Sequence, residues 1–235
     1  MGRKGPKTAP KPQNRHSADI KIPAKSLKAR KARPPREAKR KPPAKRKEKK
    51  LPEYLTVDEK DALLAVIKSP RDKAIFRTLL YHGLRASEIG LLQLSDYRQG
   101  RSLGMDRLRI HRLKGSIGGD TNLVEAAGSA IRSWLKVRGT APGPLFPSRN
   151  HRPIGRSRLL KLMHHYCRLA RIPIEKAHPH ALKHTCATLL LSERHESIAD
   201  VQAHLGHANV QNTMIYARLT NPAHEERARR LRNWK

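Results

Sequence analysis

Between His178 and Tyr216 the chain reads HPHALKHTCATLLLSERHESIADVQAHLGHANVQNTMIY, a run of histidines with Lys183 and a tyrosine set into helix-like segments. Leu182, Cys186, Leu189 and Leu190 recur at i, i+4, i+7 and i+8, which predicts a helix with one apolar face. His180 and Lys183, three apart, can then point together toward a neighbouring element. A second helix is expected over Ser197–Leu205, burying Ile198, Val201 and Leu205 and ending at Gly206. His207 follows at the turn, and Tyr216 comes nine residues later in a short amphipathic piece with Met214 and Ile215. An imidazole takes or gives a proton near neutral pH, and an ammonium neutralises an anionic oxygen. A phenol, with an ordinary pKa of about 10, is a nucleophile once its proton is removed. A metal centre is the competing use of these histidines, because His180/His184 and His204/His207 have helical spacing. No cysteine pair, converging carboxylate or HExxH completes such a set.

The elements that must position this stretch lie upstream. Thr56-Val-Asp-Glu59 is a capping box before Leu63, Leu64, Val66 and Ile67, so a helix is expected to end near Ser69. Pro70 opens the next helix, carrying Ile75, Phe76, Leu79 and Leu80, and Gly83 breaks it. Arg85 lies just beyond that break, and Ser87–Leu92 reads as a short helix that places Glu88 three residues from it. A guanidinium there can clamp an anion with two parallel hydrogen bonds, and it can pair with Glu88; the two are compatible. Leu108, Ile110 and Arg112 begin a strand, residues 115–120 form a glycine-rich turn, and Thr121–Val124 returns as a hairpin. Lys114 sits at that turn, as a proton donor, a phosphate contact or a solvated lysine. Helices follow over residues 126–137, with Ile131, Trp134 and Leu135 inward, and over 156–170, with a stripe of Leu159, Leu162, Met163 and Tyr166. Residues 139–153 form a Pro/Gly-rich loop, and His164-His165 fall on a solvated helix edge. The expected class is mainly α with a small antiparallel β-sheet.

The 235 residues hold 51 Lys+Arg against 19 Asp+Glu, a formal charge of +32 that calls for a polyanionic partner. Residues 1–50 alone carry 20 Lys+Arg and 3 Asp+Glu, eight prolines and no Phe, Trp, Tyr or Val. Such a stretch buries too little apolar surface to offset its ordering entropy, so it is expected to be a disordered basic arm that binds DNA phosphates. The two cysteines, Cys167 and Cys186, fall in apolar helical patterns and read as buried thiols rather than a disulfide framework. No run of about 18 apolar residues is present, so no membrane association is expected.

These blocks resemble the tyrosine recombinase (phage integrase) family. Gly83-Leu-Arg85-Ala-Ser-Glu-Ile89, Ile110-His-Arg-Leu-Lys114-Gly, His180-Ala-Leu-Lys183 and Leu205-Gly-His207, followed by Tyr216, stand in the family's order and spacing from about Leu51 to Leu219. The resemblance implies a DNA breaking-rejoining catalytic domain over residues 51–221. In it Tyr216 attacks the scissile phosphate and leaves a 3′-phosphotyrosyl bond. Arg85 grips a nonbridging oxygen and Lys114 protonates the leaving 5′-oxygen. His180 accepts the tyrosine proton, and His207 donates a hydrogen bond to the phosphate. No cofactor or metal is implied. The one departure is Lys183, where the family has a second arginine; a catalytically impaired DNA-binding protein on the same fold is the alternative it raises. Lacking a folded domain before the catalytic one, the chain resembles the compact stand-alone invertases of fimbrial phase variation. A mobile-element integrase is the neighbouring possibility. Double-stranded DNA, a tetramer on paired sites and accessory DNA-bending proteins are the expected partners, in a bacterial cytoplasm at the nucleoid. Residues 222–235 read as a basic C-terminal helix that docks on a neighbouring protomer.

Overall fold

The capping box at Thr56 starts the first helix: its hydroxyl accepts from the Glu59 amide and the Glu59 carboxylate accepts from the Thr56 amide. The computed structural model describes residues 52–102, 104–113, 116–217 and 232; the basic arm at 1–50, Lys114 at the hairpin tip and the C-terminal helix expected over 222–235 lie outside them, apart from Arg232. Helices α1 (Val57–Val66), α2 (Pro70–His82) and α3 (Ala86–Ile89) lead into a sheet of β1 (Tyr97–Arg98), β2 (Arg107–Ile110) and β3 (Gly119–Asn122). There follow α4 (Glu125–Arg138), α5 (Arg156–Leu169), α6 (Pro179–Ser192), α7 (Ile198–Leu205) and α8 (Gln211–Ala217). The sheet is antiparallel throughout, in the order β1-β2-β3. Among the described residues no helix is long and apolar enough to cross a membrane.

Several boundaries differ from expectation for local reasons. Helix α1 stops at Val66 because Ile67 is extended and Ser69 already serves as the N-cap of α2, its hydroxyl accepting from the Asp72 amide. The expected hairpin has a third strand, β1, too short to show any alternation. Strand β3 starts at Gly119 and Asp120, which read as turn residues; pairing with β2 overrides that, and Asp120 lies opposite Arg109 with a 3.0 Å ion pair. The stripe on α5 is buried as expected, and Ile131 of α4 faces the core with Trp134 and Leu135 packed against it.

The reading of α6 as a helix with one apolar face is corrected. Every residue from Ala181 to Thr188 is buried, because α6 is enclosed by α2, α5, α7 and α8. Leu189 and Leu190, placed on the apolar face by spacing, are only partly buried. Burial of polar side chains on such a helix requires partners. Thr185 donates to Ala181 O and accepts from the Leu55 amide, and Thr188 donates to His184 O. On α7, Val201 and Leu205 are buried and Ile198 only partly so. Both cysteines are buried thiols; burial pushes Cys186 up to about 12, against the opposing charges of Lys183 and Arg112.

Candidate active site

Two helices end in the same way at the centre of the molecule. Helix α2 closes on Gly83 (φ 54°) and α7 on Gly206 (φ 64°), both left-handed. Space adds to the demand: a Cβ on Gly83 would meet the Leu205 side chain, and one on Gly206 would lie 2.5 Å from the backbone carbonyl of Ile117. The turns so made deliver Arg85 two residues after the first glycine and His207 one residue after the second.

Arg85 caps α3 and is held by Glu88, with Nη1 2.7 Å from the carboxylate. Nη1 also donates to Leu113 O (3.2 Å) and Ser116 Oγ (2.9 Å), the described residues flanking Lys114. Among the described residues these bonds run through Nη1, and the side chain stays 23% exposed, with the rest of its fork available to an anion. Glu88 is fully buried and accepts from the Arg85 amide and guanidinium, the Leu113 amide and Arg112. Burial alone would raise its carboxyl; those donors and the Arg112 charge outweigh it and hold the group below the usual range.

Lys183 is 1% exposed, with Nζ donating to Gly83 O at 2.8 Å and Leu205 O at 3.1 Å. Burial, then the charges of Arg112 and Arg85, lower its pKa to about 7. His180 stands exposed one turn earlier, so the two residues expected to point together differ sharply in burial. His207 is buried, its Nδ1 2.9 Å from Thr213 Oγ1, and burial with the nearby charges of Lys183, Arg85 and Arg112 lowers it to about 4. It is therefore neutral at pH 7. When Nδ1 accepts from the Thr213 hydroxyl, the ring proton sits on Nε2, the tautomer that can donate outward.

The Tyr216 hydroxyl is 2.8 Å from Nδ1 of His184, and the residue is 2% exposed. His184 in turn packs edge-on against His180, ring centroids 4.3 Å apart. Burial, then the Cys186 thiol, drive the phenol above its ordinary pKa, while Arg85 opposes them. Burial and the neighbouring imidazoles take His184 down to about 3, so it is a neutral hydrogen-bond partner. The histidine spacings that resembled ligand pairs are used differently: His204 stacks on His82 at 5.8 Å and bonds Tyr81 O.

Arg85, Lys183, His207 and Tyr216 are thus brought together around the ends of α2 and α7, with His180 at the rim; Lys114 lies outside the described residues. The sequence reading gave Arg112 and Thr213 no role and took His184 only as half of a metal-ligand pair with His180. Arg112 could have been found from its place two residues before Lys114. Thr213 has no signal of its own.

Residues 53–222 match the phage integrase family. The chain belongs to that family. It is 33% identical over 203 residues to the tyrosine recombinase XerD of Yersinia pestis, covering 77% of this chain and 62% of that protein. It is 29% identical over 171 residues to the type 1 fimbriae regulatory protein FimB of Escherichia coli K12, covering 69% of this chain and 82% of FimB. The XerC of Caldanaerobacter subterraneus is matched at 34% identity over 47% of its length, so the chain spans about half to two thirds of the Xer relatives. Among solved structures, the XerA recombinase superposes with a TM-score of 0.66 at 30% identity, covering 79% of this chain and 67% of that one. XerH bound to its palindromic difH substrate, in a post-cleavage complex, superposes at 0.65 with 26% identity, covering 76% and 53%. The mainly helical fold with its small sheet is therefore that of the tyrosine recombinase catalytic domain.

Proposed function

We propose that this phage integrase family member is a site-specific recombinase that cuts and rejoins double-stranded DNA through a 3′-phosphotyrosyl intermediate. The observation that carries the reading is the gathering of a phenol, Arg85 and His207 around two helix ends. Tyr216 Oη attacks the scissile phosphorus and the bond from phosphorus to the 5′-oxygen breaks. The phenolic proton passes to His180, and Lys114 protonates the departing 5′-oxygen. Rejoining reverses these steps when a 5′-hydroxyl attacks the phosphotyrosine. The covalent bond conserves the phosphodiester, so no external energy source enters the balance. Arg85, aimed by Glu88, and His207, held by Thr213, stabilise the charge that builds on the nonbridging oxygens. The phenol is hydrogen-bonded to His184, which holds it at the site.

A nicked suicide duplex, from which the cleaved fragment diffuses away, tests this. Incubation with the full chain should give a denaturant-resistant protein–DNA adduct whose peptide map ends at Tyr216. Sequence-dependent DNA binding with no adduct on any nicked site would reject the enzymatic reading and leave the impaired DNA-binding protein.

The assembly reading is a tetramer on two paired DNA sites, with residues 222–235 docking on a neighbouring protomer and accessory DNA-bending proteins assisting. FimB, covered over most of its length, and the Xer relatives leave inversion, integration and excision as variants of the same strand transfer. The basic residues 1–50 act as a phosphate-tracking arm. Each neutralised phosphate contributes a slope of about −0.9 to log K against log salt. Deleting residues 1–50 should weaken binding to all duplexes and flatten that slope, leaving sequence preference intact. An unchanged slope on salt titration would remove the arm from the binding account.

A further inference from the structure

The ends of α2 and α7 present four backbone carbonyls, at His82, Gly83, His204 and Leu205, to one small region. Carbonyls at a helix C-terminus lack intrahelical partners and carry the negative end of the helix dipole, so two such ends repel unless cations lie between them. Lys183 fills part of this need, bridging Gly83 O and Leu205 O. The rest falls to Arg112. Its side chain is 3% exposed. Nη1 donates to Gly83 O at 3.1 Å and to Glu88 at 3.3 Å, and Nη2 donates to His82 O and His204 O, both at 3.0 Å.

Arg112 also leaves the β2 ladder, which stops at Ile110, two residues short of it. The backbone around it is tied into the same region. The Leu113 amide donates to Glu88, the Ile117 amide donates to Gly206 O at 3.0 Å, and a Cβ on Gly206 would lie 3.1 Å from Arg112 Nε. One planar fork therefore touches the segment leading to Arg85, the carboxylate holding Arg85, and the segment leading to His207. Its own chain continues into the hairpin tip.

We propose that Arg112 is a positioning residue for strand cleavage: its guanidinium locks its own segment to the C-termini of α2 and α7 and so sets Arg85 and His207 in register around the scissile phosphate. Its side chain is buried and its fork is taken up by Glu88 and three carbonyls, so it acts through the other side chains. A lysine at 112 keeps the charge and loses the fork, holding one helix end at a time. The inference rests on the recombinase reading, and the experiment separates the two.

Single-turnover cleavage of the nicked duplex should be compared for the full chain, Arg112→Lys and Arg112→Met, well below each protein's melting temperature. Amide hydrogen exchange of the DNA-free proteins is measured in parallel. The expected result is a cleavage rate down about 100-fold in Arg112→Met and about 10-fold in Arg112→Lys. DNA affinity should stay within about threefold, the split that misplacement of catalytic groups produces. Exchange should rise at the amides of residues 85–89 and 205–207. A folded Arg112→Met that cleaves at the parent rate overturns the proposal, as does Arg112→Lys at the parent rate if the methionine variant does not fold. A parallel fall in binding and cleavage overturns it as well. If the parent chain forms no adduct, the recombinase reading fails, and the exchange data alone decide whether Arg112 registers the two helix ends.

Discussion

Tyr216→Phe is expected to abolish the covalent protein–DNA adduct while leaving DNA affinity within a few-fold of the parent. The substitution removes one oxygen from a residue that is otherwise packed among Cys186, Ala187, Val201 and Leu205. Part of its structural cost is the bond to His184, whose Nδ1 loses the 2.8 Å hydroxyl contact inside a buried pocket. Leaving such a group unsatisfied costs about 1–3 kcal/mol, visible as a modest fall in melting temperature and far from unfolding a domain of this size. The catalytic loss is of a different order, because Tyr97 and Tyr166 have their hydroxyls engaged elsewhere. Tyr97 and Tyr166 donate their hydroxyls to Asp106 and Asp72, and each is driven up by burial and its carboxylate partner. The check is gel electrophoresis in denaturant after incubation with a nicked duplex, beside an equilibrium binding titration. Adducts persisting in Tyr216→Phe would move the nucleophile elsewhere in the chain.

What could be read in advance follows a physical division. Local signals were legible where one residue's own chemistry sets the backbone: the Thr56 capping box, Pro70 in the first turn of α2, and the glycines that end α2 and α7. The Arg85–Glu88 pair was legible too, because both partners lie within one turn. Long-range partners were not. That α6 is enclosed on several sides depends on α7 and α8 folding back over it, and nothing in its apolar spacing carries that information. The hydrogen bond from Tyr216 to His184 spans 32 residues, and the Arg112 bonds span up to 92. His180 was assigned the tyrosine's proton from the family pattern; that the hydroxyl also lies 2.8 Å from His184, read only as half of a metal pair, was not legible.

Lys183→Arg is expected to raise the cleavage rate, and by more as the pH rises. Lys183 is held among Arg112, Arg85 and two carbonyls, and its lowered pKa of about 7 means that the ammonium is charged below that value and neutral above it. A neutral amine still donates to Gly83 O and Leu205 O, so its strapping role survives deprotonation. Its charge toward the phosphate does not. His184 at about 3 and His207 at about 4 have already lost their protons by pH 5, so neither titrates across the neutral range. In the parent protein kcat/KM, which reports the free enzyme, should therefore fall roughly tenfold per unit as pH climbs beyond 7. A bound phosphate favours the ammonium, so the single-turnover limb should lie at higher pH than the kcat/KM limb. Arginine stays charged throughout and offers a longer, forked donor set; one edge can keep the carbonyls while the other reaches the phosphate. The alkaline fall should disappear in the variant. The gain at pH 8 should reach at least about tenfold, against the 10²–10³ that one transition-state donor is typically worth. The measurement is the pH dependence of adduct formation in both proteins between pH 6 and 9. A parent profile flat through pH 7, with no gain in Lys183→Arg, would confine Lys183 to joining the two helix ends and leave the phosphate to Arg85 and His207.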